Sequence, residues 1–227
     1  MNIDELYDPE FRKLIKSKKL TAIIPVGSIE QHGAHLPIST DSDIVTEIAS
    51  RLAKKCGFIV FPTISYGVSL EHGPLFNVSL RQQHLNRILG DIIGSLLSMQ
   101  IKKVIILNGH HGNLRAIDTV MANVKRVSKL SYWHFMKHEF DHAGFVETSL
   151  MLAISNKVKM KKAKKGLITK GLSEDEVKRI GELSAEPGGF PKVTKNGVWG
   201  DPTGATKKNG QKLIVEIVRN LAKECQS

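Results

Sequence analysis

The sequence predicts an α/β fold of three layers, a mostly parallel central sheet flanked by helices. Three observations lead there. Short apolar runs without polar alternation, TAIIPV (21–26), GFIVFP (57–62) and KKVIILN (102–108), read as strands buried on both faces, the pattern of parallel strands. Between them stand segments with apolar residues at helical spacing, so strands and helices alternate as in a layered sheet. The length, 227 residues with 41% hydrophobic, suffices for one good core, so a single domain over residues 1–227 is expected.

In chain order, a first helix is expected over residues 8–18, with Asp8 as N-cap and Pro9 in the first turn. TAIIPV is the first strand. DSDIVTEIASRLAKKCG (41–57) follows as a helix, because Ile44, Val45, Ile48 and Leu52 share one face and Gly57 is placed to end it. GFIVFP is the second strand, and SLRQQHLNRILGDIIGSLLSMQ (79–100) is a long helix. KKVIILN is the third strand, and NLRAIDTVMANVKRV (113–127) the helix after it. A weaker strand is expected around LSYWHFM (130–136), then a helix near AGFVETSLMLAI (143–154). EPGGFPKVTKNGVWGDPTG (186–204), rich in glycine and proline, reads as ordered loop. ATKKNGQKLIVEIVRNLAKEC (205–225) reads as a closing amphipathic helix.

Composition excludes several classes. No apolar run approaches the roughly 20 residues that cross a bilayer, and MNIDELYDPEFRKL carries acids where a secretory signal needs an apolar core. Cys56 and Cys225 form no disulfide framework and no metal spacing, which reads as reduced thiols in a cytoplasmic protein. The net charge of +11 concentrates in NKVKMKKAKKGLITK (156–170) without interleaved aromatics, so it lacks the stacking platforms of single-strand binders. With no zinc-finger or RNA-binding signature either, the run reads as a solvated loop or edge, with a phosphate-bearing ligand as the other reading.

The polar clusters lie beyond strand ends, where open α/β sheets bind ligands. GSIEQHGAHLPISTD (27–41) follows the first strand, NGHHGN (108–113) the third, and HEFDHAGFVETS (138–149) the segment after LSYWHFM. Glu30 and His32 stand two apart, so in extended chain they point the same way, and carboxylate with imidazole suits a divalent cation. Asp41 before a helix reads alone as an ordinary N-cap. His110 and His111 sit in a turn without apolar periodicity. Glu147 stands among apolar neighbours, Val146, Leu150 and Met151, and a buried carboxylate needs a partner or a metal. HEFDH (138–142) fits the zincin pattern letter for letter, but that motif requires a helix, and here it precedes the expected helix start.

GSIEQHGAHLPISTD, NGHHGN and DHAGFVETSLML, with the later GVWGDPTGAT, together resemble the creatininase family of metal-dependent amidohydrolases, from about Pro25 to the final helix. The resemblance implies a two-metal hydrolase with an α/β fold, assembled as a homo-oligomer such as a hexamer. By position, Glu30, Asp41 and His110 would hold one divalent ion, and His32 with bridging Asp41 the second. Creatininase itself carries a glutamate ligand two positions after the histidine of its NGH block, where this chain has Gly112. Glu147 is the candidate replacement, or else a group that orients His32 or His142. His142 stands where creatininase has its proton-transferring histidine, and Asp141 where it has a glutamate. SYGVSLEHGPLFNVSLR (65–81) resembles the substrate-side loop without the usual FPGT, which makes Glu71 and His72 candidate ligand contacts beside His35, His111 and Asp141. Trp133 lies near a position of the tryptophan pair that boxes creatinine, and reads equally as a core residue.

Short members with glycine in the NGH block resemble the archaeal formamide hydrolases of riboflavin and deazaflavin biosynthesis. The substrate implied is a formylamino-pyrimidine ribonucleotide 5′-monophosphate, attacked by water activated with Fe2+ or Zn2+, Mn2+ being the further candidate. A creatinine or other cyclic amide hydrolase and a peptide-trimming enzyme are the alternatives within the family. Outside it stand a nucleic-acid-binding domain, which the charge alone suggests, and a structural metal protein. The partners expected are a small phosphorylated substrate and other copies of the chain, with neither nucleic acid nor membrane.

Overall fold

The computed structural model describes residues 1–17, 20–122 and 124–226. Its centre is a parallel four-stranded sheet in the order β2-β1-β3-β4, formed by β1 Thr21–Val26, β2 Ile59–Val60, β3 Lys103–Asn108 and β4 Val127–Ser131. Side chains of the two middle strands alternate between the faces, as the strand pleat requires. Ile23, Ile105 and Leu107 enter one core, and Ala22, Ile24, Val26, Val104 and Ile106 the other.

The helices are α1 Asp8–Ser17, α2 Thr40–Cys56, α3 Gln82–Ser98, α4 Leu114–Thr119, α5 Phe145–Ile154, α6 Glu174–Ala185, α7 Phe190–Val193 and α8 Lys207–Gln226. Against the first core lie α2 through Ile44, Val45, Ile48 and Leu52, α5 through Val146 and Leu150, and α8 through Leu213, Ile217 and Leu221. Against the second lie α3 through Leu85, Leu89 and Ile93, and α4 through Ala116 and Ile117, with the half-buried Phe11, Leu14 and Ile15 of α1. This is the expected three-layer arrangement. Each such apolar side chain taken fully out of water stabilises the fold by about 1.5–3 kcal/mol before entropy is counted. Among the described residues no helix is long and apolar enough to cross a membrane.

Several expected elements differ. The helix expected over 113–127 stops at Thr119: Met121 takes a positive φ of 43°, and the β-branched Val127 opens β4 instead. Asn123, inside that expected helix, lies outside the described residues, as does Lys18 at the expected end of the first helix. The strand expected at 130–136 begins earlier, and YWHF forms a 3-10 turn that buries Tyr132 and Trp133. Asp8 is already helical, and the Tyr7 N–H is capped by the Glu10 carboxylate at 3.0 Å. The 186–204 loop contains the one-turn α7 and a 3-10 turn, Pro202–Gly204. The basic run at 156–170 is irregular apart from the 3-10 turn Met160–Lys162. Helix α6 was not anticipated at all, although Ser173 and Glu176 form a complete capping box at its start.

Val26 and Asn108 pair at the carboxyl ends of β1 and β3, so the loops that follow, from Gly27 and from Gly109, leave the sheet side by side. That adjacency positions the polar clusters carried on both loops. For α6, Ser173→Ala should lower local stability by about 1 kcal/mol. Amide exchange over residues 174–185 should quicken while β1 and β3 keep their protection.

Candidate active site

Three loops meet beyond the sheet, and asparagines tie them. Asn113 donates from Nδ2 to the Gly27 carbonyl at 3.0 Å, and its Oδ1 accepts from the Val68 N–H at 2.8 Å. Asn108 accepts from the His110 N–H at 3.1 Å. Gly109 lets the end of β3 press against α2: a Cβ there would lie 2.7 Å from Val45 Cβ and 2.9 Å from the Asp41 carbonyl. His110 thereby reaches the first turn of α2. These asparagines were absent from the sequence-based candidates, though both sit inside NGHHGN.

Asp41 is central. Its Oδ1 lies 3.1 Å from His32 Nε2 and its Oδ2 lies 3.2 Å from His110 Nδ1. Glu30 Oε2 is 3.2 Å from His110 Nε2, and Glu30 Oε1 is 2.9 Å from His72 Nε2. Glu147 Oε2 is 3.4 Å from His32 Nε2, and the same oxygen accepts from the Ala143 N–H at 2.6 Å. All of Glu30, His32, Asp41, His72, His110 and Glu147 are buried. Despite the short approaches, both oxygens of Glu30, Oδ2 of Asp41 and Oε1 of Glu147 lack a hydrogen bond of proper geometry.

Electrostatics follow from that crowding. Burial pulls the His32 imidazole down, but Asp41, Glu147 and Glu30 outweigh it and push it up to about 10. Burial raises Glu147 to about 8, with Asp41 and Asp141 adding to it against His32. Asp41 resists its own burial and is held well below the usual carboxylate range by His32 and His110. His142 is driven well below the usual imidazole value by burial and by the neighbouring His32 and His72, so it is neutral. Among the described residues, four donor sets have ligand atoms within 4.8 Å of one another: Glu30–His32–Asp41, Glu30–Glu71–His110, Glu30–His72–His142 and His32–His142–Glu147. Buried carboxylates with unsatisfied oxygens beside imidazoles are what a divalent cation would satisfy.

The structure brings Glu30, His32, Asp41, His110 and Glu147 into one cluster and adds Glu71 and His72 to it. His142 packs against His32 with ring centroids 4.3 Å apart and the rings tilted by 33°, held by paired backbone hydrogen bonds to Trp199. Asp141 accepts from the Val146 N–H at 3.0 Å and the Glu147 N–H at 3.4 Å, and burial raises it to about 6. His111 is exposed on the cavity wall. His35 does not line the cavity; its Nε2 meets Thr148 Oγ1 at 2.9 Å in a buried site.

The N-cap reading of Asp41 falls, and the disfavoured zincin reading of HEFDH falls with it. Asp41 is not the N-cap, which falls on Ser39, and its carboxylate turns to the histidines instead. HEFDH is irregular chain with His138 and Glu139 exposed, so its histidines share no helical face. Trp133 stacks on Phe140 at 4.7 Å and is buried. Gln31 was not among the candidates: its Nε2 lies 3.1 Å from both His72 Nδ1 and His142 Nε2, while its Oε1 accepts from the Gly33 N–H at 2.9 Å.

Above the cluster opens a cavity of about 640 Å³. Helix α6 roofs it through Gly181, Ser184 and Ala185, Phe190 and Trp199 add apolar walls, and Arg115 stands at its side.

The family model Creatininase, described as creatinine amidohydrolase, matches residues 4–225. A mycofactocin precursor peptide peptidase of Mycobacterium ulcerans is 31% identical over 86% of this chain and 80% of its own. A 2-amino-5-formylamino-6-ribosylaminopyrimidin-4(3H)-one 5′-monophosphate deformylase of Methanocaldococcus infernus is 29% identical over 89% of both. Among solved structures, a manganese form of creatininase superposes with a TM-score of 0.82 at 23% identity, covering 98% of this chain and 96% of that one, a likeness of fold.

Stability of the metal-free protein should depend on pH in a definite direction. His32, raised to about 10, contributes stability that is complete below its ordinary 6.5 and lost as pH rises through its folded value. Glu147, raised to about 8, contributes stability complete below 4.5 and lost through its folded value. The melting midpoint in chelator should therefore fall between about pH 6 and about pH 9. Cation binding needs both groups deprotonated, so the upward shift produced by added Mn2+ should grow over the same interval.

Proposed function

This chain belongs to the creatininase family of metal-dependent amidohydrolases, and from that premise we propose that it deformylates a formylamino-pyrimidine ribonucleotide 5′-monophosphate, a step of riboflavin or deazaflavin biosynthesis. The observation that carries the substrate is the cavity. At about 640 Å³ it suits a nucleotide-sized ligand, whereas a compound as small as creatinine would leave most of it filled with water. Arg115 on its wall offers a bidentate partner to a phosphate. The deformylase of Methanocaldococcus infernus, similar over 89% of both chains, supports the same reading.

The buried, unsatisfied oxygens of Glu30, Asp41 and Glu147 fit two divalent cations, Fe2+ or Zn2+ foremost and Mn2+ as well. Glu30, Asp41 and His110 would hold one, and His32, Asp41 and Glu147 the other. Such ions, when bound, acidify water and polarise an amide carbonyl.

The remaining work falls to the chain itself. With Nε2–H of His142 donating to the Gln31 carbonyl at 3.1 Å, the Nδ1 lone pair faces the cluster, 3.8 Å from Glu30 Oε1. A neutral His142 there takes the proton of the attacking water and returns it to the departing nitrogen, and its depressed pKa makes the return favourable. Asp141 holds the entry of α5, and with it Glu147 and His142, in place through its two backbone hydrogen bonds. Phe190 and Trp199 give the pyrimidine ring apolar surface, and His111 stands at the rim for the ribose or phosphate. The active form would be a homo-oligomer, a reading supported by the exposed Ile38, Tyr66, Leu70, Phe76 and Val78.

A second reading has one specific observation behind it. The mycobacterial peptidase matches at 31% identity over 86% of this chain, so a peptide amide is the substrate to exclude.

Formate release from the formylamino-pyrimidine nucleotide, assayed anaerobically with Fe2+ or Zn2+ beside creatinine and a set of short peptides, separates these. Release from the nucleotide is expected; turnover of peptides alone would move the chain to the peptidase reading. Chelation should abolish activity. His142→Ala should lower kcat by about 10²–10⁴-fold with cation content unchanged; an unaltered kcat removes His142 from the mechanism.

A further inference from the structure

Around His110 Nε2 stand three oxygens: the Val68 carbonyl at 2.8 Å, Glu30 Oε2 at 3.2 Å and Glu71 Oε1 at 3.3 Å. One imidazole nitrogen donates at most one proton, so two of the three are left without a donor from it. Glu30 is fully buried, and neither of its oxygens makes a hydrogen bond. Two carboxylates facing each other beside one ring nitrogen, with so little water, call for a positive charge between them. The donor atoms of Glu30, Glu71 and His110 lie within 4.8 Å of one another, close enough for one ion to touch all three.

We propose that Glu71 is a cation ligand at the His110 end of the centre, and not a contact for the substrate. This rests on the two-cation reading given above. The backbone is built for it. A Cβ at Gly112 would lie 2.6 Å from Glu71 Oε1, 2.6 Å from His110 Nε2 and 2.1 Å from the Val68 carbonyl. Glycine at 112 therefore leaves the space that the Glu71 carboxylate occupies, and any side chain there would expel it. The loop carrying Glu71 is fixed rather than loose. The Val68 N–H donates to Asn113 at 2.8 Å, the Ser69 N–H donates to Ser79 Oγ at 2.9 Å, and Glu30 and Asn77 form a backbone bridge. Glu71 then stands with Glu30 at Nε2 of His110, while Asp41 faces the other ring nitrogen, Nδ1, and Glu147 stands at the His32 end.

The test is zinc stoichiometry on the full-length protein, stripped and reloaded at defined free Zn2+, for wild type and Glu71→Gln, with Glu139→Gln as an exposed control. Melting in chelator checks that each variant folds, and Glu71→Asp supplies a second variant that keeps a carboxylate. The expected result is two equivalents in wild type and the control. Glu71→Gln should hold one at the same free Zn2+, with the affinity of the second reduced by more than the about 10–100-fold that losing an outer hydrogen-bond partner costs. Glu71→Asp should lie between them. Two equivalents in Glu71→Gln at wild-type affinity, with only KM altered, overturns the proposal and returns Glu71 to the substrate. No zinc in wild type would sink the two-cation reading itself, a distinct result.

Discussion

Asp41 is shared between two imidazoles inside a nearly dry cluster, and the rest of the site depends on how that charge is balanced. One oxygen meets His32 at 3.1 Å and the other meets His110 at 3.2 Å. Around this pair stand Glu30, Glu71 and Glu147, with His72 and His142 filling the remaining corners. Carboxylates at such density cannot all remain charged in a low-dielectric interior unless cations join them. Without cations the cluster compensates by holding protons, which is why His32 rises to about 10 and Glu147 to about 8.

The fold serves this one arrangement. Parallel pairing brings the ends of β1 and β3 together, and Gly109 brings β3 against the first turn of α2. The three contributing loops are then laced by Asn113, which touches the segments after β1 and before α3. The first core beneath, from Ile23 to Leu221, is rigid enough to hold polar groups to the sub-ångström tolerance that catalysis asks. Farther out, α6, α7 and the Trp199 loop build the cavity, and these have fewer buried residues. The polar cluster thus sits on the rigid side and the cavity walls on the loops, the usual division between sheet and loops.

Much of this was legible in the residues. β1, β3, α2 and α8 announce themselves through apolar runs, helical spacing and the terminal Gly57, and the structure has them within a residue or two. The elements misjudged were those whose signals conflict. Ala116 and Ile117 suggest a long helix, but Met121 and the β-branched residues beyond it turn the chain into β4. Helix α6 buries no residue fully, yet Val177, Ile180 and Leu183 stand at helical spacing after the Ser173–Glu176 capping box, so its signal was present and was passed over between the basic run and the glycine-rich loop. In the site, Glu30, His32, Asp41 and His110 stood out because costly polar groups followed apolar strands. Gln31, Asn108 and Asn113 did not, because amides are ordinary in loops and their meaning lies in partners far along the chain. For the same reason the closeness of Glu71 to His110 could not be read from the sequence: it depends on a loop meeting the space left by Gly112.

On the two-cation reading, Asp41 would be shared by both ions. Anomalous diffraction at the zinc edge, from crystals of the zinc-loaded protein, tests it most directly. Two peaks are expected, one beside Asp41 and His110 and one beside Asp41 and His32. A single peak, or density on neither side of that carboxylate, would contradict it.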